Sequence, residues 1–185
     1  MRIIGGNLKS KEIIYLKSKT TRPLKDFVKE NIFNILSHSK LFKINIENSN
    51  VLDLYSGIGS FGLECISRGA NKVTFVEKDP KALEILKKNL QKLSIENKVE
   101  TVRDTIINFL EKQDTEKFDI IFLDPPFAED EYIAELKLIF KKKIYKNNYI
   151  IIIHRERKTK DKLKNILNPL LVKEYGRSKI IFANF

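Results

Sequence analysis

The chain has 185 residues, 42% of them apolar, with 35 basic and 24 acidic side chains and a net charge of +11. This composition is that of a globular protein and excludes the disordered and fibrous classes. One cysteine and two histidines exclude a disulfide scaffold, predict no metal centre, and fit a reducing, cytoplasmic location. No apolar run reaches the roughly 18 residues of a membrane span, and we expect neither a span nor a signal peptide.

The charge is distributed unevenly along the chain. Residues 1–45 carry +7, residues 46–135 carry −7 and residues 136–185 carry +11. A lysine-rich composition would spread its charge over the whole surface and would not leave the middle acidic. Two basic ends around an acidic middle therefore indicate a polyanion held by the flanks, and we expect contact with nucleic acid.

The first 45 residues predict a small basic extension. Two short apolar runs, 2–4 and 12–16, are separated by Gly-Gly-Asn and predict an antiparallel pair. Apolar residues at helical spacing then predict an amphipathic helix that ends near Ser37. The polar stretch 45–50 predicts the boundary with the main domain, which we place at 46–185.

From residue 50 onward, the sequence pattern alternates between strands and helices. Predicted strands cover residues 51–55, 72–77, 99–102, 118–123 and 149–154. Predicted helices follow the glycine loop up to about residue 69, begin at residue 80, and cover about 130–142 and 160–167. Segments 171–175 and 179–185 predict a closing hairpin. This order predicts an α/β fold with a mostly parallel, doubly wound sheet and an antiparallel edge.

Parallel sheets bind ligands beyond the carboxyl ends of their strands, which directs attention to the acidic residues there. The pattern Gly57-x-Gly59-x-x-Gly62 follows the first strand and matches the dinucleotide fingerprint, so a redox enzyme is one alternative. Asp53, however, would be unfavourable beside a pyrophosphate and suits the cationic amino and sulfonium groups of S-adenosylmethionine. Glu77 is placed to accept hydrogen bonds from ribose hydroxyls, or is a solvated carboxylate. We expect these residues to bind S-adenosylmethionine: Asp53, Tyr55, Ser56, Gly57, Gly59, Glu77 and Asp104, the last through the adenine amino group unless it is only a helix cap.

The turn Asp124-Pro125-Pro126-Phe127 closes the fourth strand and is either a rigid turn or a catalytic element. The exocyclic amine of a base is a poor nucleophile, because its lone pair is delocalised into the ring. Asp124 and the carbonyl of Pro125 can accept hydrogen bonds from that amine, and Phe127 can stack on an extruded base. Because in-line transfer depends on positioning, this turn predicts an amino-methyltransferase without metal.

The whole chain resembles the RsmD family of 16S rRNA guanine-N2 methyltransferases. The stretches that carry the resemblance are 2–6, 21–23, 30–36, 51–59, 62–64, 67–70 and 124–127. It implies a Rossmann-like class I fold with a seven-stranded sheet, methyl transfer to the N2 of one guanine, and 16S rRNA within an assembling small subunit as the partner of a monomer. Leu24, Lys29 and Phe127 stand where the family commonly has Thr, Arg and Tyr.

For RNA contact we expect Arg2 and Arg22 in the extension and Arg155 after the fifth strand, beside His154. Lys29 is a further candidate, although it lacks the forked guanidinium of an arginine. Two alternatives to the rRNA guanine target stay open. One is an amino-methyltransferase that acts on adenine in DNA or on another RNA, and the other is a non-catalytic RNA-binding protein of the same fold.

Overall fold

Parallel and antiparallel strands form one twisted sheet. The computed structural model describes residues 1–15, 24–126, 131–161, 163 and 165–185. In these ranges the strands are β1 (Asn50–Leu54), β2 (Lys72–Val76), β3 (Val99–Val102), β4 (Phe118–Leu123), β5 (Tyr145–Glu156), β6 (Asn168–Tyr175) and β7 (Ser178–Asn184). Their order is β3-β2-β1-β4-β5-β7-β6, in which the first five strands are parallel and β7 is antiparallel to both neighbours. The predicted α/β fold with a C-terminal antiparallel hairpin is confirmed.

Helices cover both faces of this sheet. Within the described ranges they are α1 (Asp26–His38), α2 (Ser60–Ser67), α3 (Pro80–Leu93), α4 (Ile106–Lys112) and α5 (Tyr132–Lys142). Helix α3 begins where its capping sequence predicts, because Asp79 accepts a hydrogen bond from the amide of Lys81 and Pro80 occupies the first helical position. None of the helices in the described ranges has the length and hydropathy that crossing a membrane requires.

The predicted helix over 160–167 is wrong for the residues that the structure describes there. Asp161 and Leu163 lie outside any helix, and a turn follows at 165–166. The hydroxyl of Thr159 donates to the carbonyl of Glu156, and the amine of Lys179 donates to the carbonyl of Thr159. These side-chain bonds hold the chain against the end of the sheet.

The N-terminal extension packs into the core of the sheet. Ile3, Ile13 and Val28 are buried in the same hydrophobic cluster as Val51 of β1 and Phe122 of β4. The predicted antiparallel pair is present as a bridge between residues 2 and 12. The boundary at residue 46 therefore does not separate two hydrophobic cores.

Glu64 on α2 fixes the start of the chain. This fully buried carboxylate accepts hydrogen bonds from the amides of Ile4 and Gly5 at 2.8 and 2.7 Å and from Nε of Arg68 at 3.0 Å. Hydrogen bonds to a charged group are stronger than neutral ones, which compensates the burial of the carboxylate. The extension is thereby attached to the helix that follows the glycine loop.

Candidate active site

Three carboxylates meet at the carboxyl ends of neighbouring strands. Asp53 lies in β1, while Glu77 and Asp124 directly follow β2 and β4. Both of these strands pair with β1, and the amide of Asp124 donates to the carbonyl of Leu54 at 3.4 Å. The structure thus brings together three of the acidic residues that sequence reasoning selected.

Asp53 gives this site its electrostatic character. Its side chain is buried, and Oδ2 accepts a hydrogen bond from the amide of Gly62 at 2.9 Å. Burial raises the pKa of Asp53 well above its ordinary value; Asp124 and Glu77 raise this pKa further, and the Gly62 amide opposes the shift. Each of these carboxyl groups makes ionisation of the others less favourable, and a cationic ligand would reverse that effect.

Glu77 is bonded to the glycine loop. Its Oε2 accepts a hydrogen bond from the amide of Gly57 at 2.7 Å, and its Oε1 accepts one from the amide of Asp79 at 2.8 Å. Each carboxylate oxygen has two lone pairs, so the half-buried carboxylate retains capacity to accept from a hydroxyl. The loop and the acid at the end of β2, twenty residues apart in sequence, form one unit.

The two first glycines of the loop serve different purposes. Gly57 has φ +54°, and a Cβ built there would meet no atom within 4 Å, so this glycine borders open space. Gly59 has φ +87°, and its Cβ would lie 2.5 Å from Cδ1 of Leu86 on α3. Gly57 therefore lets a ligand approach the backbone, whereas Gly59 lets the loop pack against a helix.

Two hydroxyl groups near this loop lack partners in the described part of the chain. The Oγ atoms of Ser56 and Ser60 are buried and make no hydrogen bond there. Buried polar groups in native proteins are almost always bonded, so these two hydroxyls leave hydrogen-bonding capacity unused at the loop. Tyr55 precedes them with φ +60°, and its hydroxyl donates to Oε1 of Glu135 on α5 at 2.6 Å.

Asp104 is engaged at the start of α4. Its carboxylate accepts from the amide of Thr105, from Nδ2 of Asn108 and from Nζ of Lys112 at 2.8, 3.0 and 2.7 Å. The hydrogen bond from Lys112, with those from Asn108 and Thr105, lowers the pKa of Asp104. Its contact with an adenine amino group stays a prediction.

His154 connects Asp124 to the C-terminal hairpin. Its Nδ1 lies 2.8 Å from Oδ1 of Asp124, and its Nε2 lies 2.9 Å from Oγ of Ser178 at the start of β7. A neutral imidazole with its proton on Nδ1 satisfies both contacts, since it donates to the carboxylate and accepts from the hydroxyl. The imidazole is buried, with 4% exposed, so it restricts the rotation of Asp124.

Arg155 is buried and supports the Asp-Pro-Pro turn through a hydrogen bond. The guanidinium donates to the carbonyl of Pro126 at 3.1 Å and to Oδ1 of Asp161 at 2.8 Å, and it lies over the ring of Tyr132. Only 2% of the Arg155 surface is exposed, so its expected contact with RNA is wrong. Pro125 is buried and Pro126 exposed, while Phe127 lies outside the described residues.

The expected RNA contact of Lys29 is wrong as well. Its side chain is fully buried, and its amine donates to the carbonyl of Arg2 at 2.9 Å and lies 3.8 Å from Glu64. Burial lowers the pKa of Lys29, and Glu64 and Asp26 partly oppose that shift. Lys29, together with Glu64, holds the N-terminal extension against the domain. The side chain of Arg2 is exposed, and Arg22 lies outside the described residues.

Sequence reasoning placed His154 near the active edge as a candidate RNA contact, but it assigned no role at the turn to the residues that hold it: His154, Ser178, Tyr132 and Asp161. The signal for His154 was its position at the end of the predicted fifth strand, residues 149–154. That signal became specific only when β5 was known to lie beside β4, the strand that carries Asp124.

Known proteins resemble the chain over nearly its full length. The sequence model of the family described as conserved hypothetical protein 95 matches residues 1–184. A relative named ribosomal RNA small subunit methyltransferase D, from Buchnera aphidicola subsp. Baizongia pistaciae, is 36% identical over 99% of this chain and 90% of its own length. The similarly named protein of Haemophilus influenzae is 36% identical over 85% of this chain and 79% of its own length. Among solved structures, the putative methyltransferase yhhF from Escherichia coli has a TM-score of 0.83 and 26% identity, over 99% of this chain and 96% of that one.

Proposed function

The chain belongs to the family described as conserved hypothetical protein 95, and on that premise we propose that it methylates small-subunit rRNA. The methyl donor is S-adenosylmethionine, and the acceptor is the exocyclic N2 amine of a guanine in 16S rRNA. Relatives named ribosomal RNA small subunit methyltransferase D support the reaction and the RNA class. The observation that carries the proposal is the position of Asp124, on a supported turn beside the acidic ligand site.

The residues at the ends of β1 and β2 fit S-adenosylmethionine. Gly57 borders open space and Glu77 has capacity for ribose hydroxyls. The carboxyl group of Asp53 lies near those of Glu77 and Asp124, and a cationic ligand would favour the ionised forms of all three. The unpartnered Ser56 hydroxyl offers a further polar contact. When bound, S-adenosylmethionine supplies a methyl group that is activated by its attachment to a sulfonium.

Asp124 and Pro125 address the acceptor amine. Accepting hydrogen bonds from the NH₂ group favours a more tetrahedral nitrogen, whose lone pair can then be directed at the methyl group. Arg155 and His154 hold the turn and the carboxylate, so the acceptors are fixed before the base arrives. Positioning of this kind is the main contribution that a protein makes to a transfer between two bound groups.

The charge pattern of the chain supports a finer version of the proposal. Residues 1–45 and 136–185 carry +7 and +11, and phosphate contacts supply most of the affinity for RNA. We extend the proposal to rRNA in an assembling small subunit, bound by one copy of the enzyme in the cytoplasm.

Replacing Asp124 by Ala tests this function. Transfer of tritiated methyl groups to small-subunit rRNA should fall by roughly a hundredfold or more, because a preorganised polar group is lost. Affinity for S-adenosylhomocysteine, measured by calorimetry, should stay within a few-fold. Asp114→Ala is the matched control, since Asp114 is an exposed acid whose partner is Lys142.

Two outcomes would contradict the proposal. Near-normal turnover by Asp124→Ala would remove the assigned role of the carboxylate. Mass mapping of the methylated RNA would identify the base, and a methyl group on adenine would replace guanine N2 as the target.

A further inference from the structure

The extension and the C-terminal hairpin meet through two aromatic rings. Phe27 of α1 and Tyr175 of β6 have ring centroids 5.8 Å apart, and their planes are at 86°. Phe27 is 63% exposed, the largest exposed fraction of any large apolar side chain in the described ranges. An aromatic ring that stays this exposed at a helix start contributes little to the core and offers a flat surface to a partner.

A chain of side-chain contacts and strand pairing connects this aromatic pair to Asp124. Tyr175 is the direct cross-strand partner of Ser178, and directly paired residues project from the same face of a sheet. The hydroxyl of Ser178 contacts His154, which in turn contacts Asp124. Starting at Asp124, two hydrogen bonds and one cross-strand pair lead to the ring of Tyr175.

Two arginines lie near the Tyr175 end of the pair. Arg177, in the turn between β6 and β7, is exposed and has no side-chain partner among the described residues. Its carbonyl accepts a hydrogen bond from the amide of Arg157, whose guanidinium lies 2.7 Å from Glu174. Two acids of α1, Asp26 and Glu30, lie near Phe27; Asp26 is 3.7 Å from the buried amine of Lys29. The surface therefore joins the two most basic segments of the chain, and Arg177 is available to an anion.

We propose that the aromatic edge, defined as Phe27, Tyr175, Arg157 and Arg177, binds a single-stranded nucleotide that flanks the methylated base. The base stacks on Phe27, and its phosphate contacts Arg177. Single-stranded nucleic acid is held by this combination of stacking rings and cations, because every base has a flat face and every nucleotide a phosphate. The inference rests on the proposed function. It identifies the aromatic edge as the surface that binds rRNA next to the methylated base.

The first test measures binding of a short fluorescein-labelled oligouridine to the full chain by fluorescence anisotropy. Phe27→Ala should weaken binding by about tenfold or more, the effect of removing one base stack. Phe27→Tyr should bind like the wild type, since the stacking ring is kept. Phe140→Ala is the matched control, because Phe140 is 54% exposed on α5 and should leave the affinity unchanged.

The second test concerns charge. Arg177→Gln should flatten the dependence of log affinity on log salt by about 0.7, because one phosphate of the single strand is no longer neutralised by the protein. The melting temperature and the affinity for S-adenosylhomocysteine should be those of the wild type in both the Phe27 and the Arg177 variants. An unchanged salt slope would overturn the assignment of Arg177.

The remaining outcomes separate this inference from the proposed function. Equal oligouridine affinity of Phe27→Ala and Phe140→Ala, in a protein that methylates rRNA, would overturn the aromatic edge alone. Loss of self-association in Phe27→Ala, measured by sedimentation, without loss of RNA affinity would assign the surface to a second copy of the chain and also overturn it. Phe27-dependent oligouridine binding by a chain that methylates no rRNA would uphold the aromatic edge and refute the proposed function.

Discussion

The imidazole of His154 is in direct contact with the carboxylate of Asp124, with Nδ1 2.8 Å from Oδ1. Asp124 follows Leu123 of β4 and His154 follows Ile153 of β5, and Leu123 and Ile153 are paired, so the sheet itself sets the separation of the two side chains. The carboxylate is 23% exposed, while the imidazole behind it is buried. The carboxylate of Asp124 is thus partly open to an acceptor base, and the buried imidazole of His154 fixes its orientation.

His154→Ala should lower kcat by roughly tenfold to a hundredfold, because a small loss of alignment is costly in a positioned transfer. The affinity for S-adenosylhomocysteine should not change, since His154 lies on the acceptor side. His154→Asn should recover part of kcat, because its amide nitrogen can donate to Asp124 much as Nδ1 does. Steady-state methyl transfer to rRNA measures both variants, and wild-type kcat in His154→Ala would contradict the positioning role.

Glu77→Ala should raise the dissociation constant of S-adenosylhomocysteine by about tenfold to a hundredfold. The change removes charge-assisted hydrogen bonds worth roughly 1.5–3 kcal/mol and leaves the amide of Gly57 without its acceptor. Calorimetry measures the change. Glu84→Ala, an exposed acid on α3 paired with Lys88, serves as the control. Equal affinities of the two variants would return Glu77 to the role of a solvated carboxylate.

Asp53→Asn should stabilise the fold at neutral pH while weakening the binding of S-adenosylmethionine. The pKa of Asp53 is raised by burial, so the folded state holds its proton more tightly than the unfolded state does. The stability that this carboxyl contributes is present below about pH 3.9, the ordinary pKa of Asp, and is lost as the pH rises through the raised value. Asparagine does not ionise and can still accept from the amide of Gly62.

Thermal unfolding between pH 4 and pH 8 checks this expectation for Asp53. The variant should melt above the wild type by a few degrees at the upper end of the range, where about 2–4 °C corresponds to 1 kcal/mol in a chain of this size. The difference should shrink towards the acidic end. A variant that melts below the wild type at neutral pH would contradict this expectation, because it would show that neighbouring groups stabilise the ionised Asp53 carboxylate enough to offset its burial.

Asp161→Asn should destabilise the protein at neutral pH by about 3–5 kcal/mol, because it leaves buried cations without their partner. Burial acts to raise the pKa of Asp161, but hydrogen bonds from Lys179, Arg155 and Tyr132 outweigh it and lower the pKa. A carboxyl with a lowered pKa contributes stability above its ordinary value, and that stability is lost as the pH falls through the lowered value. Urea unfolding should therefore show a large difference at pH 7 that narrows below about pH 4. A difference that is independent of pH would contradict this account.

The elements that were predicted well are those whose signals are local. Strand β4 was predicted with its observed limits from a run of apolar residues that only Asp119 interrupts, and α3 from a capping Asp79 followed by Pro80. Helix α4 was not predicted, since seven residues give too few turns for a periodic pattern. The helix expected over 160–167 is absent at Asp161, whose carboxylate instead bonds to Arg155 of β5, Lys179 of β7 and Tyr132 of α5.

The sequence by itself determined the sheet class, the glycine loop and the acids at the strand ends, since these follow from spacing along a few residues. The tertiary structure alone decided which charged side chains face inward. From sequence, Lys29 and Arg155 are expected to be surface cations. In the fold both are buried, and they form ion pairs with Glu64 and Asp161. A buried charge is tolerated only where its partners converge, and those partners come from different elements of the fold. For the same reason, His154 acquired its place beside Asp124 only from the adjacency of β4 and β5.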